Sequence, residues 1–255
     1  KDQSGNDERT MGLTFRLKEP HPAQWVLDPK TMKYARSLPL ENDVQLEICA
    51  RCHSRRHVVS DDYVHGEKFL DHYRPRLLGE DVYHADGQID GEVYVYGSFI
   101  QSRMYHKGVR CTDCHDPHSL EVVAPGNALC SSCHLPELFD TPNHHFHMTD
   151  SEGASCIACH MSGRKYMVVD LRHDHSIRIP RPDLSVKLGT PNACNDCHDN
   201  RDAHWASEAI ANWYGLERRK EFHYGEALHA GRLGLPSASM LLTRLAKDSK
   251  APAIA

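Results

Sequence analysis

Apolar and polar positions follow no single period along most of this 255-residue chain, and the clearest helical pattern lies near its C-terminus. There "DAHWASEAIANWYG" sets Trp205, Ala209 and Trp213 four residues apart, one face of a helix, and Gly215 closes it. A second helix is predicted over 217–232. A third begins at Ser237 in "LPSASMLLTRLAKDS", with Leu241, Leu242 and Leu245 on one face. "KAPAIA" reads as the opening of a fourth, with Pro252 in its first turn. Upstream, "ENDVQLEICARCH" predicts one short helix with Asn42 or Asp43 as N-cap. The alternation of Val93/Val95 with Tyr94/Tyr96 in "EVYVYG" predicts a strand, and "LEVVA" and "KYMVVD" predict two more.

These patterns divide the chain into three parts. Residues 1–45 are polar and punctuated by proline, an extended lead-in. Residues 46–200 mix short helices with loops. Residues 201–255 are helical and read as the start of a helical-repeat region that serves as scaffold or docking surface. The expected fold class is mainly α with much irregular structure.

Composition changes this picture in one respect. Only 40% of residues are hydrophobic and 7% aromatic, with 14 prolines, so side chains alone supply little core and something else must fill the centre. A net charge of −5 gives no electrostatic case for nucleic acid or an anionic membrane. No apolar run approaches 18 residues, so no transmembrane segment is expected.

The filler is written in the cysteines. All ten fall into C-x-x-C pairs, and histidine follows each pair: "CARCH", "CTDCH", "CSSCH", "CIACH" and "CNDCH", here motifs I to V. With 20 histidines in the chain, five such placements by chance would occur about three times in a million. C-x-x-C-H is the signature of covalent c-type haem attachment, because two thiols so spaced bond two vinyl groups on one porphyrin edge. The adjacent histidine then reaches the iron as proximal ligand. Cys49, Cys52, Cys111, Cys114, Cys130, Cys133, Cys156, Cys159, Cys194 and Cys197 would hold five haems c. His53, His115, His134, His160 and His198 would be their proximal ligands.

Other uses of these cysteines fit less well. Zinc ribbons pair two C-x-x-C knuckles per metal, and five knuckles do not pair evenly. A thioredoxin-like site needs one C-x-x-C in a βαβ setting. Disulfides within each pair are geometrically awkward and leave the histidines unexplained. Haem is then the core of the fold. Attachment of this kind takes place outside the cytoplasm, so a periplasmic or extracellular location is expected. The chain opens "KDQSGNDERT" without a leader or an initiator Met, so either a leader has been removed or this is an internal piece of a longer chain.

Low-spin haems need a second strong ligand, His or Met. Fifteen histidines remain for that role, beside the blander ones of surface residue, propionate partner or donor to another ligand. His118 lies three residues past His115, which its own haem already uses, so it is placed to reach a neighbouring iron. His106, held by a short "KG" turn before Cys111, is placed the same way. "TPNHHFHMTD" offers His144, His145 and His147, of which one or two can be ligands; His145 and His147 are taken as candidates. His173 and His175 share one side of an extended segment. His84 precedes a turn. His57, His65 and His72 follow motif I at irregular spacing, and Met104, Met148 and Met161 are better suited to packing.

The phrases "YVYGSFIQSRMYHKGVRCTDCHDPHS", "PGNALCSSCH" and "DHSIRIPRPDLSVKLGTPNACNDCH", with the C-terminal helices, resemble multihaem cytochromes c fused to tetratricopeptide or HEAT-type helical repeats. The resemblance spans roughly residues 45–250. Members of that family usually carry further C-x-x-C-H motifs upstream, which implies that this chain starts within its parent. A more distant similarity runs to the pentahaem nitrite reductase and octahaem reductase superfamily. There a His-Gly-containing run precedes C-x-D-C-H, as His106, Gly108 and Cys111 do here, and an Asp-His pair supplies a distal ligand. Asp174–His175 matches that pair and raises His175 above His173. The pentahaem enzymes attach their catalytic haem through C-x-x-C-K, whereas all five motifs here end in histidine.

The expected function is therefore electron transfer through closely packed, mostly bis-histidine haems, between redox partner proteins such as other cytochromes. One alternative is a nitrogen or sulfur oxyanion reductase with one open distal site, among candidates Arg103, Tyr105, His106, Arg172 and His173. Another is a subunit of a conducting complex or filament, self-associating through haem edges or the helical segment.

Overall fold

The structure, a computed structural model, describes Leu17, residues 23–119 and residues 121–255. The rest of the predicted lead-in lies outside the described residues. From Trp25 the chain forms a hairpin of β1 (Trp25–Asp28) and β2 (Lys33–Arg36), then enters α1 (Val44–His53), which carries motif I behind the N-cap Asp43. β3 (Arg56–Val58), α2 (Phe69–His72) and β4 (Tyr73–Pro75) follow, with β3 antiparallel to β4. One-turn helices α3 (Tyr96–Phe99) and α4 (Arg103–His106) lead to α5 (Cys111–Cys114), which carries motif II.

Motif III lies on α6 (Asn127–Ser131), with its last residues just beyond the helix. Two Pro-initiated turns follow, α7 (Pro136–Phe139) and α8 (Pro142–His145). Motif IV forms α9 (Cys156–His160), followed by the hairpin of β5 (Gly163–Tyr166) and β6 (Asp170–His173). Then come α10 (Pro182–Leu188), the motif V helix α11 (Ala193–Cys197), and three longer helices, α12 (Ala203–Tyr214), α13 (Tyr224–Arg232) and α14 (Ala238–Ala246). The fold is mainly α, with three two-stranded sheets among the described residues.

Two apolar clusters form, and nine of their twelve buried members come from the segment between motifs I and II. Leu46, Ala50, Phe69, Tyr73, Tyr96 and Phe99 make the first; Leu78, Val82, Tyr83, Ile89, Val93 and Ile254 make the second. The region of motifs II to V contributes no fully buried side chain to either cluster. That is the distribution expected where cofactors, not side chains, supply the interior.

Four sequence expectations differ from the structure. "EVYVYG" is not a strand: Tyr94 has φ +59°, and this reversal sends Val93 into the second cluster and Tyr96 into the first. "LEVVA" forms only a single bridge, Val122 to His115, while "KYMVVD" supplies β5 and the tip of its hairpin. Met167 and Val168 at that tip have φ of +49° and +73°. "KAPAIA" makes turns instead of a helix, because Ile254 is drawn into the second cluster. The helix expected over 217–232 is split into a 3-10 turn at Glu217–Lys220 and α13, with His223 as the N-cap between them.

Candidate haem centres

Each motif begins on a short helix, so its first cysteine and its histidine are about one turn apart, even where the histidine lies just past the helix end. Eight of the ten thiols are partly buried; only Cys52 and Cys197 are exposed. Consecutive motifs lie close together. Cys49 lies beside Cys111, and Cys130 beside Cys156. Cys114 lies near Cys133, and Cys159 near Cys194 and Cys197.

Three motif histidines face an imidazole from elsewhere in the chain. His115 and His175 have ring centroids 6.3 Å apart with planes at 25°. His160 and His144 stand at 6.1 Å and 10°, and His198 and His147 at 6.1 Å and 34°. Two imidazole nitrogens bound to one metal at about 2 Å each place the ring centroids roughly 6 Å apart, so each pair has the span of a shared ion.

The hydrogen bonds of these rings decide which nitrogen is free. Nδ1 of His160 lies 2.9 Å from the carbonyl oxygen of Arg178, and Nδ1 of His175 lies 2.9 Å from that of His173. Nδ1 of His147 meets the carbonyl oxygen of His145. A carbonyl only accepts, so Nδ1 carries the proton in each and Nε2 keeps its lone pair. His144 reaches the same state differently. The Tyr214 hydroxyl donates to its carbonyl, leaving the phenol oxygen 3.2 Å from Nδ1 as acceptor. Burial holds His115, His144 and His175 below the ordinary histidine range, which favours the neutral, ligand-competent ring.

The segment carrying His144 and His147 is shaped by two features. Phe146, between them, adopts φ +57°, a conformation uncommon for a residue with a side chain, and its ring stacks on Trp213 at 4.4 Å and 4°. Gly153 supplies the second: a Cβ there would stand 2.3 Å from the His147 ring, so the close approach requires glycine. Trp205, also on α12, lies 4.9 Å from His198. Helix α12 thus touches both rings of the His198 pair's neighbourhood as well as His144.

The other candidates sit apart from these pairs. His106 is exposed and lines an open cleft with Arg36, Tyr105, Lys107 and Arg110. The His118 side chain is 94% exposed, its Nδ1 3.4 Å from Asp116. His84 is half-buried, with Nε2 3.3 Å from Asp90 and 3.2 Å from Arg164. His145 lies 6.5 Å from the His147 ring and presents Nδ1 to the His147 backbone N–H. His53 is exposed, while His134 meets Phe139 edge-on at 5.6 Å. Spacing did not select His144, although His144 and His147 stand three residues apart with a strained residue between them.

Residues 105–138, spanning motifs II and III, match the family model described as the doubled CXXCH motif. Five such motifs in one chain are the signature of a multihaem c-type cytochrome. Its C-x-x-C-H motifs bind haem c covalently, and the paired, Nδ1-anchored imidazoles fit that group. Among solved structures, the outer cell wall cytochrome OcwA is similar, with a TM-score of 0.47 and 17% identity. That match covers 85% of this cytochrome and 65% of OcwA, so the chain spans less than two thirds of that structure's length. No curated protein matches the chain. No described helix is long and apolar enough to cross a membrane.

Proposed function

We propose that this cytochrome carries electrons between redox partner proteins through five haems c, one on each motif. The observation that carries the reading is the set of three imidazole pairs 6.1 to 6.3 Å apart, each joining a motif histidine to one from a distant segment. Haem c supplies a one-electron ferric/ferrous couple when bound. His115 with His175, His160 with His144, and His198 with His147 would hold the irons of the haems on motifs II, IV and V. Filled axial positions keep an iron from binding substrate and limit its rearrangement on changing oxidation state, as electron transfer requires. Covalent attachment places the working protein outside the cytoplasm, in the periplasm or beyond it, where other cytochromes are fitting partners.

The test is an electron paramagnetic resonance spectrum of the oxidised protein with haem quantified on the same sample. Five haems per chain and low-spin signals from II, IV and V are expected. A stoichiometric high-spin signal that shifts with nitrite, hydroxylamine or sulfite would replace this reading with a reductase.

A further inference from the structure

Two carboxamide side chains occupy equivalent places in different parts of the molecule. Gln45, buried in the first turn of α1, stands just ahead of motif I. Its Oε1 accepts from Thr112 N at 3.1 Å, and its Nε2 donates to Thr112 Oγ1 at 2.9 Å and to Leu17 O at 2.8 Å. Thr112 lies within motif II, in the first turn of α5. Asn127, the first residue of α6, stands just ahead of motif III. Its Oδ1 accepts from Cys156 N at 2.9 Å, the first residue of the motif IV helix. Its Nδ2 donates to Ala154 O at 3.0 Å and to Asp140 Oδ1 at 2.9 Å.

In both places an amide ahead of one motif satisfies a backbone N–H that the next motif helix leaves without an intrahelical partner. At the first, a second bond from the same amide reaches the same helix, at Thr112 Oγ1; at the second, it reaches the carbonyl of Ala154, two residues before α9. The two junctions are alike in a further way, since at both the first cysteines of consecutive motifs are neighbours: Cys49 of Cys111, and Cys130 of Cys156. Helix α9 packs on α6 in the second couple, and on α11 beyond it.

We propose that Gln45 and Asn127 are positioning residues that clamp consecutive haem attachment sites, I to II and III to IV, in a single file running in motif order. The clamps act on neither iron nor haem directly. They hold the helices that present the thiols, and so set how closely the two thioether edges of each couple approach. This rests on the electron-carrier reading for the presence of all five haems, but the two fail separately.

The experiment compares the holoprotein with Gln45→Ala, Asn127→Ala and Gln45→Glu, recording haem content, spin state and the magnetic interaction between neighbouring ferric haems. Haem content and low-spin ligation are expected to persist. Gln45→Ala should lose the interaction-broadened signal of haems I and II alone, and Asn127→Ala that of III and IV alone. Gln45→Glu keeps acceptors for Thr112 N and for its hydroxyl and gives up only the donation to Leu17 O, which lies outside both motif helices, so it should keep the wild-type spectrum. Fully loaded alanine variants with unchanged spectra, even if less heat-stable, would overturn the proposal. Should a variant lose haem, iron positions from anomalous scattering on wild-type crystals decide. The file I–II–III–IV–V, with Cys49 beside Cys111 and Cys130 beside Cys156, is expected, and any other order overturns it. A haem count below five in the wild type would count against the electron-carrier reading instead.

Discussion

Single atoms determine how well each distal histidine can serve. His175 is anchored by Nδ1 to a backbone carbonyl and held neutral by burial, so His175→Ala should convert one haem from low to high spin and leave the haem count unchanged. The spin balance by paramagnetic resonance checks this. His144 depends on a phenol instead. Tyr214→Phe removes the acceptor for its Nδ1–H and makes the ring a weaker donor to ferric iron. One haem potential should rise, by less than roughly 60 mV, the one-electron equivalent of a tenfold change. A potentiometric titration reads it. Gly153→Ala drives a methyl into the His147 ring and should free that ligand, giving a second high-spin centre distinct from the His175 one.

Elements, not residues, decide whether those ligands are presented at all. Helix α12 was legible from its apolar stripe, yet its role was not: Trp213 supports the strained Phe146 between His144 and His147, and Tyr214 binds His144 directly. The packing of α12 on α10 and α11 carries it into the haem region, across the change in composition near residue 200. Helix α13 shows a different dependence. Its N-cap His223 accepts from Gly225 N through Nδ1 while Glu226 accepts from the His223 backbone, and burial lowers the imidazole to about pKa 4. The folded state therefore prefers the neutral ring. Its contribution is complete above the unfolded value near 6.5 and is lost as pH falls from there toward 4. Wild type should show a lower urea midpoint at pH 5 than at pH 7.5, and His223→Asn, which caps without titrating, should flatten that difference.

At the scale of the molecule, the sparse apolar clusters between motifs I and II leave the rest to covalent cofactors. What the sequence by itself determined is local. Attachment needs two thiols and a histidine within five consecutive residues, and a short helix suffices to present them, so cofactor class and proximal ligands are readable from spacing. The start of α1 at Asn42 or Asp43 and the limits of α12 are readable for the same reason, since they depend on neighbours in the chain. Which imidazoles come to face the motif histidines was decided only by tertiary structure. His175 meets His115 across two intervening motifs, and His147 meets His198 across one. Nothing in the spacing of fifteen spare histidines records such encounters. The "EVYVYG" strand failed on the same ground, because two separate clusters competed for Val93 and Tyr96 and the backbone reversed at Tyr94 to satisfy both. Covalent chemistry is written at short range along the chain, whereas the second ligand of an iron is whatever side chain packing brings to its open face.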